Sequence, residues 1–277
     1  MLAITAFQRS GTTALGEQLG RLPSLAYWGE VFHPEGYAGA DLSAKLRLRS
    51  AAHWFRFVED QLPPELKAGP QEVEARARAW SLYEARLAEA GLGRRPVLDI
   101  KYNSWHHLQP VWAPIGERPF LVDLMAQSQT PIVHLVREDV LAQALSEVFA
   151  FNSGLWHRRI GQAVDLREMR FDADVEGLLH RMRASHRGTA LMREWLKTTA
   201  HIELRYENTF SDTGGLTDGA LSALAAIGVE ASELSTSPVL GRMGQSPRDW
   251  LANSDEVVVG LQGTEFEPLA ATMFGQA

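Results

Sequence analysis

Leu2-Ala3-Ile4-Thr5-Ala6-Phe7, then Gln8-Arg9-Ser10-Gly11-Thr12-Thr13, then Ala14-Leu15 is the stretch that decides the fold. Six mostly apolar residues bounded by a polar, glycine-containing turn predict a buried strand. The spacing of Leu15, Leu19 and Leu22 predicts a helix leaving it. A strand that feeds a helix through such a turn aims backbone N–H groups and a helix N-terminus at one point, which attracts phosphate. Gly11 allows close approach of the backbone to a ligand, Ser10, Thr12 and Thr13 offer hydroxyl donors, and Arg9 adds a planar, permanently charged fork. The string also suits a plain helix start capped by Thr12 or Thr13, and the turn by itself does not separate the two. It is not a Walker A loop, because the chain contains no Gly-Lys pair.

Further strand candidates recur downstream: Leu25–Trp28, Pro96–Lys101, Pro131–Val136 and His201–Tyr206. Helical patterns lie between them, at Arg118–Ser128, from an Asp139 N-cap to about Phe151, at Val175–Thr198 and at Leu216–Ile227. This alternation predicts a parallel sheet wrapped by helices, an α/β fold in which loops at the carboxyl ends of strands gather at one edge. Arg9, Glu30, Lys101 and Arg137 all fall at such ends. Residues 40–92 carry no strand signal and read as a helical insertion longer than a crossover needs, a cap that shapes a pocket. Its Trp54, Phe55 and Phe57 suit core packing, or stacking on an adenine or a sugar. Residues 152–171 lack periodicity and read as a flap, with Arg158 and Arg159 as anion contacts or as a solvated basic loop.

With 277 residues and no linker, the chain is expected to form a single domain over 1–277. Apolar residues at 45% and charged residues at 22% supply a large core. The absence of cysteine removes disulfides and thiolate metal sites. No run reaches the length of a membrane span and no signal peptide precedes the first strand, so a cytoplasmic protein is expected. A net charge of −7 argues against nucleic acid or an anionic membrane as partner, yet leaves room for a nucleotide in a local cationic pocket. Glu30 and His33 invite a metal, but the pair has no third ligand at suitable spacing, and no metal is expected. His33, His106 and His107 are alternative bases, with His106 and His107 better suited to the surface.

Arg9-Ser10-Gly11-Thr12-Thr13-x-Leu15 resembles the 5′-phosphosulfate loop of sulfotransferases that use 3′-phosphoadenosine 5′-phosphosulfate (PAPS). Gly29-Glu30-Val31-Phe32-His33 resembles the segment after the first helix in bacterial carbohydrate sulfotransferases of the trehalose and nodulation-factor type. Arg137 and Ser146 resemble the pair that grips the 3′-phosphate, spaced by nine positions as in the trehalose-type enzymes. The resemblance implies a P-loop nucleotide-kinase-like fold, PAPS as sulfuryl donor and a small-molecule hydroxyl acceptor, with a carbohydrate first. It implies Glu30 as general base, Lys101 as a sulfuryl or acceptor contact, and Arg9, Ser10, Gly11, Thr12 and Thr13 around the phosphosulfate. Arg242, with Arg248 second, falls in a late segment resembling one that closes on the 3′-phosphate, and Tyr206-Glu207-Asn208 resembles a recurring structural triplet. The trehalose-type enzymes form dimers, which allows a homodimer here. An ATP-dependent phosphotransferase and a non-catalytic nucleotide-binding module are the alternatives.

Overall fold

The structure is a computed structural model that describes residues 1–33, 52–67, 73–109, 116–156, 169–230 and 246–275. Strands β1 (Leu2–Ala6), β2 (Leu25–Glu30), β3 (Arg95–Lys101), β4 (Ile132–Val136) and β5 (His201–Arg205) form one sheet in the order β2-β3-β1-β4-β5. Every pairing is parallel. The strand carrying the decisive stretch is therefore central, hydrogen-bonded to β3 on one side and β4 on the other. Both faces are covered, which explains why its residues read as a continuous apolar run rather than an alternation.

Helix α1 (Thr12–Leu19) follows β1. Helices α2 (Trp54–Asp60), α3 (Pro64–Lys67) and α4 (Val73–Ala90) occupy the described part of the insertion before β3. Then come α5 (Phe120–Gln127), α6 (Val140–Ser153), α7 (Val175–Leu196), α8 (Tyr206–Thr209) and α9 (Asp218–Ala226). The chain closes with α10 (Pro247–Trp250), α11 (Ser254–Leu261) and α12 (Glu267–Phe274). The expected strands and crossover helices stand within a few residues of these bounds. The short α8, the three closing helices α10, α11 and α12, and a 3-10 helix at Tyr102–Leu108 went unread; in the last, Trp105 is fully buried with Nε1 donating to Thr5 Oγ1 at 2.8 Å. Residues 40–51 and 68–72 of the expected cap, most of the expected flap with Arg158 and Arg159, and Arg242 lie outside the described residues.

Strand alternation divides the core. Ala3, Leu98, Ile100 and Ile132 pack on one face with α2, α4, α5 and the 3-10 helix, while Leu2, Ile4, Val97, Val133 and Leu135 pack on the other with α1 and α9. In the insertion, Trp54 and Phe57 are buried against Trp80 and Tyr83, so they serve the core; Phe55 is 38% exposed. A third cluster joins α6 and α7 to α10, α11 and α12.

Under β4 a polar network replaces apolar packing. His134 Nε2 meets the Tyr102 hydroxyl at 2.5 Å, its Nδ1 lies 3.2 Å from Glu203 Oε2, and Arg193 ties Glu203 to Glu138. Burial pushes the His134 pKa down despite the pull of Glu203, whose own pKa is lowered by His134 and Arg193. The folded imidazole thus stays neutral to lower pH than the unfolded one. The unfolded chain takes up the proton first, and stability should fall as pH drops below the ordinary histidine range, by up to about 1.4 kcal/mol per pH unit for this proton. Partial burial lowers His106 and His107 as well, adding to the slope. Thermal unfolding of His134→Gln between pH 7 and 5 should show a shallower decline than wild type; an identical slope would contradict the assignment.

Candidate active site

The turn after β1 is held in shape from beneath. Arg9 and Gly11 both adopt left-handed backbone, φ +64° and +86°. At Gly11 a Cβ would come within 2.8 Å of the Tyr206 ring, so the position is fixed both by backbone and by space. The Gln143 side chain on α6 donates to the Gln8 carbonyl at 2.8 Å and to Ser10 Oγ at 2.7 Å, and accepts from Ser185 at 2.6 Å. Ser10 Oγ donates to the Phe7 carbonyl at 3.0 Å and is 1% exposed. Its hydroxyl, which the sequence offered as a donor to a ligand, is engaged within the turn. Because Gly11 is the N-cap residue of α1, no side chain caps the first turn, and the capping role considered for Thr12 or Thr13 is not taken.

Two arginines converge on this turn. Arg9 crosses to α6, donating through Nε and Nη2 to Ser146 Oγ at 3.3 and 3.1 Å, and through Nη1 to the Trp156 carbonyl at 2.8 Å. Arg137, at the exit of β4, donates from Nη1 to the Arg9 carbonyl at 3.1 Å and lies 4.6 Å over the Tyr206 ring. Burial and the neighbouring Arg137 pull the Arg9 pKa down to about 10, which leaves it charged at neutral pH. Asp139 caps α6 by accepting from the Ala142 N–H at 2.9 Å, and Glu207 accepts from the backbone N–H groups of Glu138 and Asp139. The Tyr206-Glu207 pair therefore supports the turn that carries Arg137. Sequence reading set Arg9 and Ser146 at separate ends of a ligand; here one touches the other, a contact across 137 positions that local pattern does not reveal.

Glu30 reaches the same sheet edge through a bulge. Tyr27 pairs with Val97, yet Gly29 pairs with Leu98, so Trp28 and Gly29 together oppose one residue of β3. Gly29 has φ +77°. The extra residue turns Glu30 to the face where Asp99 and Lys101 stand, instead of the opposite one. Lys101 Nζ lies 2.8 and 3.0 Å from the two Asp99 oxygens and 3.3 Å from Glu30 Oε1, and it donates to Thr12 Oγ1. Lys101 is 4% and Asp99 1% exposed, while the Glu30 side chain keeps 28% of its surface open. Burial works against the ammonium, but Asp99 and Glu30 outweigh it and lift its pKa, so Lys101 is charged.

Sequence reading singled out Lys101 and missed Asp99. The available signal was strand alternation, which puts residues 99 and 101 on one face. Thr13 on α1 is half-buried, as are Glu30 at the end of β2 and His33 just after it. His106 and His107 are exposed in part on the 3-10 helix, with the His107 ring stacked 5.3 Å from Phe32. Arg248 donates to the Met273 carbonyl at 3.2 Å, which ties it to α12.

A family profile described as Stf0 sulphotransferase matches residues 2–254 of the chain. No curated protein matches the sequence. Among solved structures, it is similar to the sulfotransferase from Alicyclobacillus acidocaldarius, with 14% identity, 98% of this chain and 92% of that chain covered, and a TM-score of 0.40. It is also similar to the sulfotransferase domain from the curacin biosynthetic pathway, with 14% identity, coverage of 98% and 89%, and a TM-score of 0.39. Among the described residues no helix is long and apolar enough to cross a membrane.

Proposed function

The chain belongs to the Stf0 sulphotransferase family and is a sulfotransferase; on that premise we propose that it moves a sulfuryl group from PAPS to an acceptor hydroxyl with Glu30 as general base. The observation that supports this best is the pairing at the β1 turn. Two guanidinium groups and a serine, from segments more than a hundred residues apart, meet beside an uncapped helix start. Two guanidinium groups held together beside free helical N–H groups suit an anion between them.

In this reading each group has its own task. The N–H groups at the start of α1, with Gly11 allowing close approach and Thr12 and Thr13 alongside, hold the 5′-phosphosulfate. Arg137 and Ser146 hold the 3′-phosphate, and Arg9, resting on Ser146, bridges the two regions. Glu30 takes the proton of the acceptor hydroxyl as that oxygen bonds to sulfur and the S–O bond to the 5′-phosphate breaks. Lys101 and the turn's N–H groups stabilise the negative charge that builds on the leaving phosphate oxygen. Neither step calls for a metal.

The acceptor is a carbohydrate or small-metabolite hydroxyl. The insertion before β3 shapes its pocket, since α2 starts with the Trp54 N–H bonded to the Val31 carbonyl at 2.9 Å, directly after Glu30. Calorimetric titration tests the donor: 3′,5′-adenosine bisphosphate should bind at least about a hundredfold more tightly than ATP, because only the former presents a 3′-phosphate. Equal affinity for the two would refute PAPS as donor.

A further inference from the structure

We propose that Asp99, a buried carboxylate with no part in the transfer itself, sets the proton affinity of Glu30 by holding the ammonium of Lys101. This rests on the reading of Glu30 as the base. Lys101 has three N–H donors, and Asp99, Thr12 and Glu30 surround them. Asp99 holds the ammonium with both oxygens, at 2.8 and 3.0 Å, while Glu30 stands off at 3.3 Å. The Thr12 hydroxyl also bonds to Asp99, so the carboxylate ties α1 to the same cation. Two carboxylates therefore share one positive charge, and the deeper one has the larger claim on it.

The consequence is electrostatic. A carboxylate paired closely with a lone ammonium is a weak base, since the cation stabilises its charged form. With most of the Lys101 charge balanced by Asp99, and with the Asp99 charge itself nearby, Glu30 retains the affinity for a proton that a general base requires. Lys101 still keeps Glu30 in place and still presents a cation to the Thr12 end of the loop. Among the described residues, the groups acting on this cluster include Lys101 and Asp99 from β3, Glu30 from β2, the Thr12 hydroxyl from α1, and Arg9, which is attracted by Glu30 from the turn after β1. Removing the Asp99 charge leaves the other groups in place and lets Lys101 close on Glu30.

The bulge supports this assignment. Register places Glu30 opposite Asp99, and only the extra residue at Trp28-Gly29 brings the two carboxylates side by side. A regular β2 would have set Glu30 opposite Ile100, on the other face.

The experiment needs no acceptor. Carbon-13 NMR of protein labelled at the glutamate carboxyl follows the titration of Glu30, whose signal is assigned by its loss in Glu30→Gln. In Asp99→Asn the Glu30 midpoint should fall by about one pH unit or more. In the double variant Asp99→Asn, Lys101→Met, which removes both charges together, that fall should be abolished, and a fall that persists without the ammonium overturns the proposal. An unmoved midpoint in the single variant overturns the proposal. Should Asp99→Asn not fold, Asp99→Ser, which removes the same charge in a smaller side chain, is read by the same criterion, a fall supporting the proposal and an unmoved midpoint overturning it. Calorimetry with 3′,5′-adenosine bisphosphate runs alongside. If wild type fails to bind it, the donor reading falls while the midpoints still report on Asp99, so the two failures are distinguishable.

Discussion

Glu30→Gln is expected to bind 3′,5′-adenosine bisphosphate within about threefold of wild type while turning over roughly a hundredfold or more slowly. The amide keeps the shape of the carboxylate but cannot accept the acceptor's proton. Binding survives because the residues assigned to the nucleotide hold one another, Arg9 donating to Ser146 Oγ and Arg137 to the Arg9 carbonyl, beside the start of α1. Lys101 keeps its bidentate partner Asp99, so loss of the Glu30 charge leaves no unpaired buried cation. The measurement is acceptor-dependent release of the bisphosphate from PAPS over a panel of hydroxyl-bearing sugars and alcohols. Turnover equal to wild type would remove Glu30 from the base role.

Arg137→Met is expected to weaken bisphosphate binding by about 2–3 kcal/mol, a loss of roughly 30- to 150-fold, and to leave 5′-AMP within about threefold. A guanidinium that meets a phosphate makes charge-assisted bonds a thioether cannot replace. Methionine retains much of the packing on Tyr206, over which Arg137 lies at 4.6 Å. The contrast between ligands isolates the 3′-phosphate, since 5′-AMP lacks it. Equal losses for both would mean that Arg137 supports the turn through the Arg9 carbonyl, not the ligand.

Much of this architecture was legible in the chain because the relevant signals are local. Strands β1, β3 and β4 are apolar runs cut off by polar turns, and their alternation with helices implied the parallel sheet. Asp139 announced the start of α6 and the structure gives it that cap. What the sequence hid is non-local or backbone-borne. The meeting of Arg9 with Ser146 joins a turn to a helix 137 positions away. The commitment of Ser10 inward depends on Gln143, another distant residue. The bulge at Trp28-Gly29 changes which face Glu30 occupies without changing any hydrophobic pattern, because β2 is short and mixed in composition. Asp99 sits inside an apolar strand, where a lone acid reads as an exception; only its place two residues before Lys101 marks it as one half of a buried pair.

A structure of the protein with bound 3′,5′-adenosine bisphosphate tests the account most directly. The 3′-phosphate should lie within hydrogen-bonding distance of Arg137 and Ser146, the 5′-phosphate should sit on the N–H groups at the start of α1, and the Glu30 carboxylate should face the open side of that 5′-phosphate. A nucleotide bound with its 3′-phosphate in solvent, or with its 5′-phosphate turned away from Glu30, would contradict it.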